Sequence, residues 1–178
     1  LHAAGFEITP NEEEAEIIVI NTCGFIESAK REAIDNILDA AYLKENGNCR
    51  HIIATGCLVE RYREEVMNEL PEIDALVGIG SLDDIAEACK AVMRGEKYTS
   101  FRDKESSELG GDRIITTMQH TAYLKVAEGC DNRCTYCAIP LIRGKLRSRP
   151  IEDIVKEAKD LEALGVKEVN LIAQDTTR

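Results

Sequence analysis

The sequence predicts an α/β fold, with an N-terminal doubly wound parallel-sheet domain followed by the start of a (β/α) partial barrel. Short apolar runs alternate with stretches whose apolar residues recur at helical spacing, which is the order of stacked βα units. The 178 residues are 44% apolar, which is enough to bury a core, and one polar segment without periodicity interrupts the pattern. These two observations predict two α/β domains in one chain.

Three strands and three helices are predicted in the N-terminal half. The strands are the apolar runs Glu16–Thr22, His51–Gly56 and Asp74–Gly78. The helices are marked by apolar residues at helical spacing from about Ser28 to Lys44, around Val66 to Leu70, and from Ser81 to Gly95. In the last helix Ser81 and Asp84 have the spacing of a capping box, and Cys89 lies on the inward stripe.

A polar, glycine-bearing segment, FRDKESSELGGDR, divides the chain and is typical of an inter-domain linker. The sequence therefore predicts an N-terminal domain at residues 1–98, a linker at 99–118 and a second domain at 119–178. In the second domain TAYLKVAEG and KEVNLIAQ are predicted strands. Between them a helix is predicted from Pro150 to Gly165, with an inward stripe formed by Ile151, Ile154, Val155, Ala158 and Leu161.

Composition restricts the partners and the compartment. The 33 acidic residues exceed the 22 basic ones, and a net charge of −11 argues against broad nucleic-acid binding. No apolar run is long enough to span a membrane, and seven cysteines without a secretory feature suit metal binding or free thiols in a reducing cytoplasm. The chain opens at Leu1 and stops at Arg178 directly after a strand-like segment, so we expect a fragment.

The stretch CDNRCTYC places Cys130, Cys134 and Cys137 directly after a predicted strand. At helical spacing these thiols would share one face, but the flanking residues are too polar for a core stripe. A structural zinc site would need a fourth nearby ligand, and none follows. Three thiolates suit an iron–sulfur cluster whose fourth iron takes a non-protein ligand. A zinc-stabilised binding module and a non-catalytic iron–sulfur protein remain the alternatives.

The motif C-x₃-C-x-aromatic-C after a strand resembles the signature of radical S-adenosylmethionine enzymes. The resemblance implies a [4Fe–4S] cluster at these three cysteines, an open iron chelated by S-adenosylmethionine, and reductive cleavage of that cofactor to a 5′-deoxyadenosyl radical. It also implies that Tyr136 packs near the cofactor, although ordinary loop packing is an equal alternative. Gln174 and Asp175 end the last predicted strand, a position where sites are common, and are further candidate cofactor-binding residues.

Longer segments are similar to the methylthiotransferases, namely INTCGFIESA, ATGCLVERY and AEGCDNRCTYCAIPLIRGKLRSRP. That family has a second [4Fe–4S] cluster on three cysteines of its N-terminal domain. Cys23 and Cys57 match two of them, and the third would lie before Leu1. Each of the two follows a predicted strand, and parallel neighbouring strands would bring such ends together.

Two branches of the family differ in substrate. NTCGFIESA, GCLVERY and LIAQDTT resemble the branch that inserts sulfur and a methyl group at the β-carbon of an aspartate in a small-subunit ribosomal protein; the alternative branch modifies isopentenyl-adenosine in transfer RNA. The resemblance implies an electron donor such as flavodoxin or ferredoxin, and contact with nucleic acid only indirectly through the ribosome. No catalytic residue is assigned. The basic run Arg143–Arg149 either faces the cofactor or substrate or is a solvated loop.

Overall fold

The computed structural model describes residues 1–105, 107, 109–111, 113, 115 and 120–177. The chain forms two compact units, Leu1–Ser106 and Ser107–Arg178. The predicted linker at 99–118 spans the division between them, but Thr99 and Ser100 at its start belong to a strand of the first unit, and residues 116–118 lie outside the described part. In the described part of the chain, no helix is both long enough and apolar enough to cross a membrane.

The first unit is built on a parallel sheet of four strands in the order β1-β2-β3-β4. The strands are β1 (Ile17–Thr22), β2 (His51–Gly56), β3 (Ala75–Val77) and β4 (Tyr98–Ser100). The helices are α1 (Glu27–Asn46), α2 (Cys57–Arg61), α3 (Arg63–Glu69) and α4 (Ile85–Met93), and short 3-10 helices lie at His2–Ala4, Glu12–Glu14 and Ile79–Asp84.

Helices cover both faces of this sheet. Ile52 and Ala54 of β2 pack in one apolar cluster with Ile37 of α1, whereas Ile53, on the opposite face of the same strand, packs with Cys89 of α4. Burial on both faces explains why β2 is a continuous apolar run without alternation. The predicted α/β fold with a parallel sheet is thus confirmed, and the predicted bounds of β2 are those observed.

The predicted capping box on the third helix is wrong. The helical segment begins as the 3-10 helix Ile79–Asp84, and α4 follows it. The buried Ser81 hydroxyl instead accepts a hydrogen bond from the backbone N–H of Arg102 at 2.7 Å, and the Asp84 carboxylate accepts one from the Ser100 hydroxyl at 2.7 Å. Both side chains therefore bond to β4 or to a residue just after it, and not to the N-terminus of their own helix.

Glu60 on α2 is a buried carboxylate, with 6% of its surface exposed. One oxygen accepts a hydrogen bond from the backbone N–H of Ile79 at 3.0 Å, and the other pairs with the guanidinium of Arg63. That guanidinium lies over the Phe101 ring, 4.3 Å from its centroid. Glu60 therefore ties the helix that follows β2 to the turn that follows β3.

The described residues of the second unit form two small sheets. β5 (Thr121–Lys125) pairs in parallel with β8 (Glu168–Ile172), and β6 (Ala127–Glu128) pairs antiparallel with β7 (Arg147–Ser148). Two helices complete it, α5 (Ile139–Arg143) and α6 (Ile151–Ala163). The single strand predicted at TAYLKVAEG is thus split at Val126, because its two halves take different partners.

Helix α6 buries only part of the predicted stripe. Leu161 is buried in a cluster with Ala122 of β5 and Val166, as predicted. The prediction is wrong for Ile151 and Val155, which are 74% and 45% exposed. In the described part of the unit the sheet beneath this helix has two strands, which cover the helix face near Leu161 and leave Ile151 and Val155 exposed.

We predict that Glu60→Ala lowers the free energy of unfolding by about 1–3 kcal/mol, because it leaves the buried N–H of Ile79 without its acceptor. Glu64→Ala, on the exposed side of α3, is the matched control and should change the value by less than about 0.5 kcal/mol. Urea unfolding followed by circular dichroism measures both. Equal effects of the two substitutions would contradict the anchoring role of Glu60.

Candidate functional site

Cys23 and Cys57 follow the ends of adjacent parallel strands. The register of β1 and β2 pairs Thr22 with Gly56, so each cysteine comes one residue after a paired position. The predicted meeting of these two strand ends is confirmed. Cys23 is exposed and Cys57 is buried at the start of α2.

The two cysteine-bearing turns are packed directly on one another. A Cβ atom on Gly24 would lie 2.7 Å from the Cα atom of Leu58, so only glycine permits this approach. The Arg61 guanidinium donates a hydrogen bond to the Gly24 carbonyl at 3.0 Å, and the buried Thr22 hydroxyl donates one to the Thr55 carbonyl at 2.5 Å. These contacts hold the backbone around Cys23 against the helix that begins with Cys57.

In the second unit Cys130, Cys134 and Cys137 lie on the loop between β6 and α5, which we call the cysteine loop (residues 129–138). Cys134 is exposed, and the other two are half-buried. Within the loop the Cys137 N–H donates to the Cys134 carbonyl at 3.0 Å, which closes a tight turn. Arg133 adopts a φ of 50°, a left-handed conformation that is uncommon for a residue with a side chain and that is concentrated at functional sites.

Backbone contacts fix the start of the cysteine loop. Gly129 has a φ of 78°, and a Cβ atom there would lie 2.1 Å from the Lys145 carbonyl oxygen. The Cys130 N–H donates to the Gly144 carbonyl at 3.3 Å, and the Leu146 N–H donates to the Asp131 carboxylate at 3.1 Å. The loop is thus seated on the segment that follows α5, and no residue larger than glycine fits at position 129.

Gln174 and Asp175, beyond the end of β8, bond to the cysteine loop. The Gln174 side-chain oxygen accepts from the Gly129 N–H at 2.7 Å, and the Asp175 carboxylate accepts from the Asn132 side-chain amide at 2.9 Å. The same amide donates to the Cys130 sulfur at 3.3 Å. Both residues therefore form hydrogen bonds to the cysteine loop, where the cluster is predicted to bind. Their binding of a cofactor stays a prediction, as does that of Tyr136, which is 88% exposed.

Glu128, two residues before Cys130, is a buried carboxylate that sequence reasoning missed. It is 2% exposed and pairs with Lys125 and, at 2.9 Å, with Arg143. Paired cations are what make a buried carboxylate tolerable. Its signal in the sequence is weak, because the sequence pattern does not distinguish a buried acidic residue at the end of a strand from a solvent-exposed one.

The arginines of the basic run bond within their own unit. Arg143 pairs with Glu128, and Arg147 donates to the Ser107 carbonyl at 2.7 Å. Arg149, 7% exposed, donates to the Lys125 carbonyl at 2.7 Å and pairs with Glu157 at 2.6 Å. These contacts give the run a structural role.

Two further cysteines belong to the core. Cys49 and Cys89 are 3% and 2% exposed and pack in the two apolar clusters of the first unit. Burial raises the pKa of both thiols, so they remain protonated at neutral pH. A metal ligand must be a thiolate, and these two sites disfavour it.

The donor chemistry of both segments fits an iron–sulfur cluster. Thiolates are the ligands of such clusters, and the cysteine loop offers three on one short, accessible segment. Among the described residues, no group of three or more His, Cys, Asp or Glu side chains is placed to hold a single metal ion. A four-iron cluster differs in its demands, because each thiolate binds its own iron atom.

Comparison with known proteins assigns a family to each segment. Residues 1–78 match the family described as Uncharacterized protein family UPF0004, and residues 124–177 match the Radical SAM superfamily. The second match begins in β5 and includes the whole cysteine loop. A match to that superfamily implies a [4Fe–4S] cluster and S-adenosylmethionine as cofactors.

Individual relatives match nearly the whole chain. The ribosomal protein uS12 methylthiotransferase RimO of Clostridium botulinum is 51% identical over 177 residues, and that of Clostridium perfringens strain 13 is 53% identical over 176 residues; each match covers 97% of this chain and 39% of the relative. The RimO of Desulforamulus reducens is 50% identical over 180 residues, which is all of this chain and 40% of the relative. The chain thus spans about two fifths of the length of these curated relatives.

The chain therefore combines an N-terminal α/β unit that matches UPF0004 with a following segment that matches the Radical SAM superfamily. Over nearly its whole length the chain is also similar to the RimO methylthiotransferases.

We predict that thiol labelling separates the cysteines into two groups. In cluster-free protein at pH 7.5, iodoacetamide should modify the exposed Cys23 and Cys134 at least about tenfold faster than Cys49 and Cys89, because an opening that costs about 1.4 kcal/mol already slows labelling tenfold. Peptide mass spectrometry over a time course measures the rates. In urea all four should react alike, and equal rates in the folded protein would contradict the assignment of Cys49 and Cys89 to the core.

Proposed function

We propose that the protein is a radical S-adenosylmethionine methylthiotransferase that inserts sulfur and a methyl group at an unactivated C–H bond. The target is the β-carbon of an aspartate in ribosomal protein uS12. The observation that carries the proposal is the C-x₃-C-x₂-C loop directly after β6, the strand that follows β5 of the parallel β5–β8 pair, in a chain about 50% identical over nearly its whole length to the RimO proteins.

Cys130, Cys134 and Cys137 would hold three irons of a [4Fe–4S] cluster and leave the fourth to S-adenosylmethionine. With S-adenosylmethionine bound and the cluster reduced, the two cofactors would supply a radical that abstracts hydrogen from an unactivated carbon. The chain itself holds the cysteine loop in position. The hydrogen bond from Gly129 to Gln174 fixes the start of the loop, and the buried Glu128 holds the strand before it through Lys125 and Arg143.

Cys23 and Cys57 would bind a second [4Fe–4S] cluster, together with a third cysteine outside this chain. Support comes from the register of β1 and β2 and from the glycine contact that packs the two turns together. The proposal then assigns one cluster to each domain, with residues 1–98 and 119–178 as the domains and 99–118 as the linker.

A ribosomal protein substrate is supported by the similarity to uS12 methylthiotransferases, and the chain's net charge of −11 disfavours broad binding to RNA. A one-electron donor such as flavodoxin or ferredoxin would reduce the cluster. A ribosomal substrate would place the reaction in the cytoplasm, with nucleic acid met only through the ribosome.

The reaction class is tested with the anaerobically reconstituted whole protein, dithionite and S-adenosylmethionine. We expect acid-labile sulfide together with iron, production of 5′-deoxyadenosine, and a methylthio group on a uS12 aspartate detected by mass spectrometry. Bound zinc without sulfide would refute the proposed cluster. A stable cluster that never cleaves S-adenosylmethionine would refute the radical chemistry and favour an electron-transfer protein. If transfer RNA is modified and uS12 is not, the substrate proposal is refuted in favour of the RNA-modifying branch.

The ligand assignment is tested by matched Cys→Ala substitutions. We predict that Cys134→Ala removes about four iron atoms per chain and abolishes 5′-deoxyadenosine formation, since an incomplete ligand set no longer holds the loop cluster. Cys57→Ala should remove a similar amount of iron but retain cleavage of S-adenosylmethionine.

Cys89→Ala is the control for these substitutions, because the Cys89 thiol is buried in the core on α4. It should leave the iron content unchanged. Equal iron losses from Cys89→Ala and Cys134→Ala would refute the division of the cysteines into ligands and core residues.

A further inference from the structure

The side chain of Asn132 bridges a proposed cluster ligand and an acidic residue from another part of the unit. Its amide nitrogen lies 3.3 Å from the Cys130 sulfur and 2.9 Å from a carboxylate oxygen of Asp175. A primary amide has two hydrogens, so one can point to the sulfur while the other is held by the carboxylate. Asn132 is exposed, and it therefore contributes little to the core.

Asp175 is itself held in place. Its second carboxylate oxygen accepts hydrogen bonds from the Thr177 backbone N–H at 3.1 Å and from the Thr177 hydroxyl at 2.9 Å. The preceding residue, Gln174, accepts from the Gly129 N–H at 2.7 Å. The segment after β8 is thus bonded to the cysteine loop at two points. This fixes the direction in which the Asn132 amide presents its N–H to the sulfur.

We propose that Asn132 is a positioning and tuning residue that raises the reduction potential of the cluster bound through Cys130, and that Asp175 orients it. This inference rests on the proposed function, because it needs a cluster on the cysteine loop. Reduction adds one electron, and thus negative charge, to the cluster and its thiolates. An N–H directed at a ligand sulfur stabilises the more negative state, and such hydrogen bonds are among the factors that set cluster potentials.

The position of Asn132 suits this role. The residue lies between the first and second proposed ligands of the motif, and its side-chain amide reaches the Cys130 sulfur at 3.3 Å. Its partner carboxylate is fixed by residues beyond β8, 43 positions away in the sequence. The amide is therefore held by the fold and not by the cluster.

The test is a redox titration followed by electron paramagnetic resonance, using the whole protein in a Cys23→Ala, Cys57→Ala background so that only the loop cluster contributes signal. Asn132→Leu keeps the side-chain size and removes both donors. We expect the ratio of reduced to oxidised cluster at a fixed potential to fall about tenfold, which is a midpoint lower by about 59 mV for one electron. Asn132→Ala is a second variant without donors and should shift in the same direction.

Asn170→Leu is the matched control. This residue lies on β8, and its amide bonds to Glu168 at 3.2 Å and not to the cysteine loop. Its midpoint should equal that of the background protein. An equal downward shift in Asn170→Leu would overturn the inference, because the effect would then come from general polarity or stability.

A double-mutant cycle tests the orienting role of Asp175. If Asp175 acts through Asn132, then Asn132→Leu should change the midpoint less in an Asp175→Ala background than in its presence. The same shift in both backgrounds would overturn that role.

The remaining outcomes separate this inference from the proposed function. If the background protein assembles no iron–sulfur cluster on the loop, the proposed function itself fails. If it assembles the cluster and Asn132→Leu leaves the midpoint unchanged or raises it, only the role of Asn132 is overturned. Loss of iron from both Asn132 variants would show that the residue retains the cluster and does not tune it, which also overturns the inference.

Discussion

Parallel pairing of neighbouring strands is the interaction on which both candidate sites depend. In the first unit the register of β1 and β2 places Cys23 beside the start of α2, although Cys57 lies 34 positions later in the chain. In the second unit the pairing of β5 with β8 brings Gln174 to Gly129, 45 positions away. Because parallel strands end at a common edge, strand pairing alone brings residues that are distant in sequence close together there. In the first unit Cys23 and Cys57 lie at such an edge, and in the second unit the segment after β8 is bonded to the start of the cysteine loop.

Close backbone contact then restricts what can stand beside these cysteines. Gly24 directly follows Cys23 and touches the backbone at Leu58, and Gly129 directly precedes Cys130 and touches the Lys145 carbonyl. A side chain at either glycine would push one segment off the other. The backbone next to the cysteines is therefore fixed by sterics, while the exposed thiols of Cys23 and Cys134 can still reach a ligand. Such an arrangement defines where a cluster would bind and permits access to it.

Local patterns predicted the elements well where burial decides the structure, and less well where a distant partner does. The apolar run His51–Gly56 is a strand with the predicted bounds because both of its faces are buried. Ser81 and Asp84 fit a capping box by spacing, but Arg102, just after β4, bonds Ser81, and Ser100 at the end of β4 bonds Asp84. The same limit applies to the candidate site. The three-cysteine spacing is local and was recognised, whereas the partners of Glu128 and Asn132 are brought together only by folding.

Charge completes the account of the cysteine loop. Residues 125–149 hold six Lys or Arg against two acidic residues, in a chain whose net charge is −11. Three thiolates concentrate negative charge on one short segment, and one-electron reduction of a cluster would add to it. The local cations oppose that charge, and most of the arginines among them are fixed by bonds within the unit, as with Arg143 and Arg149. Charges that are already held in place need little reorganisation when the charge of the site changes. The basic run therefore stabilises the structure around the loop.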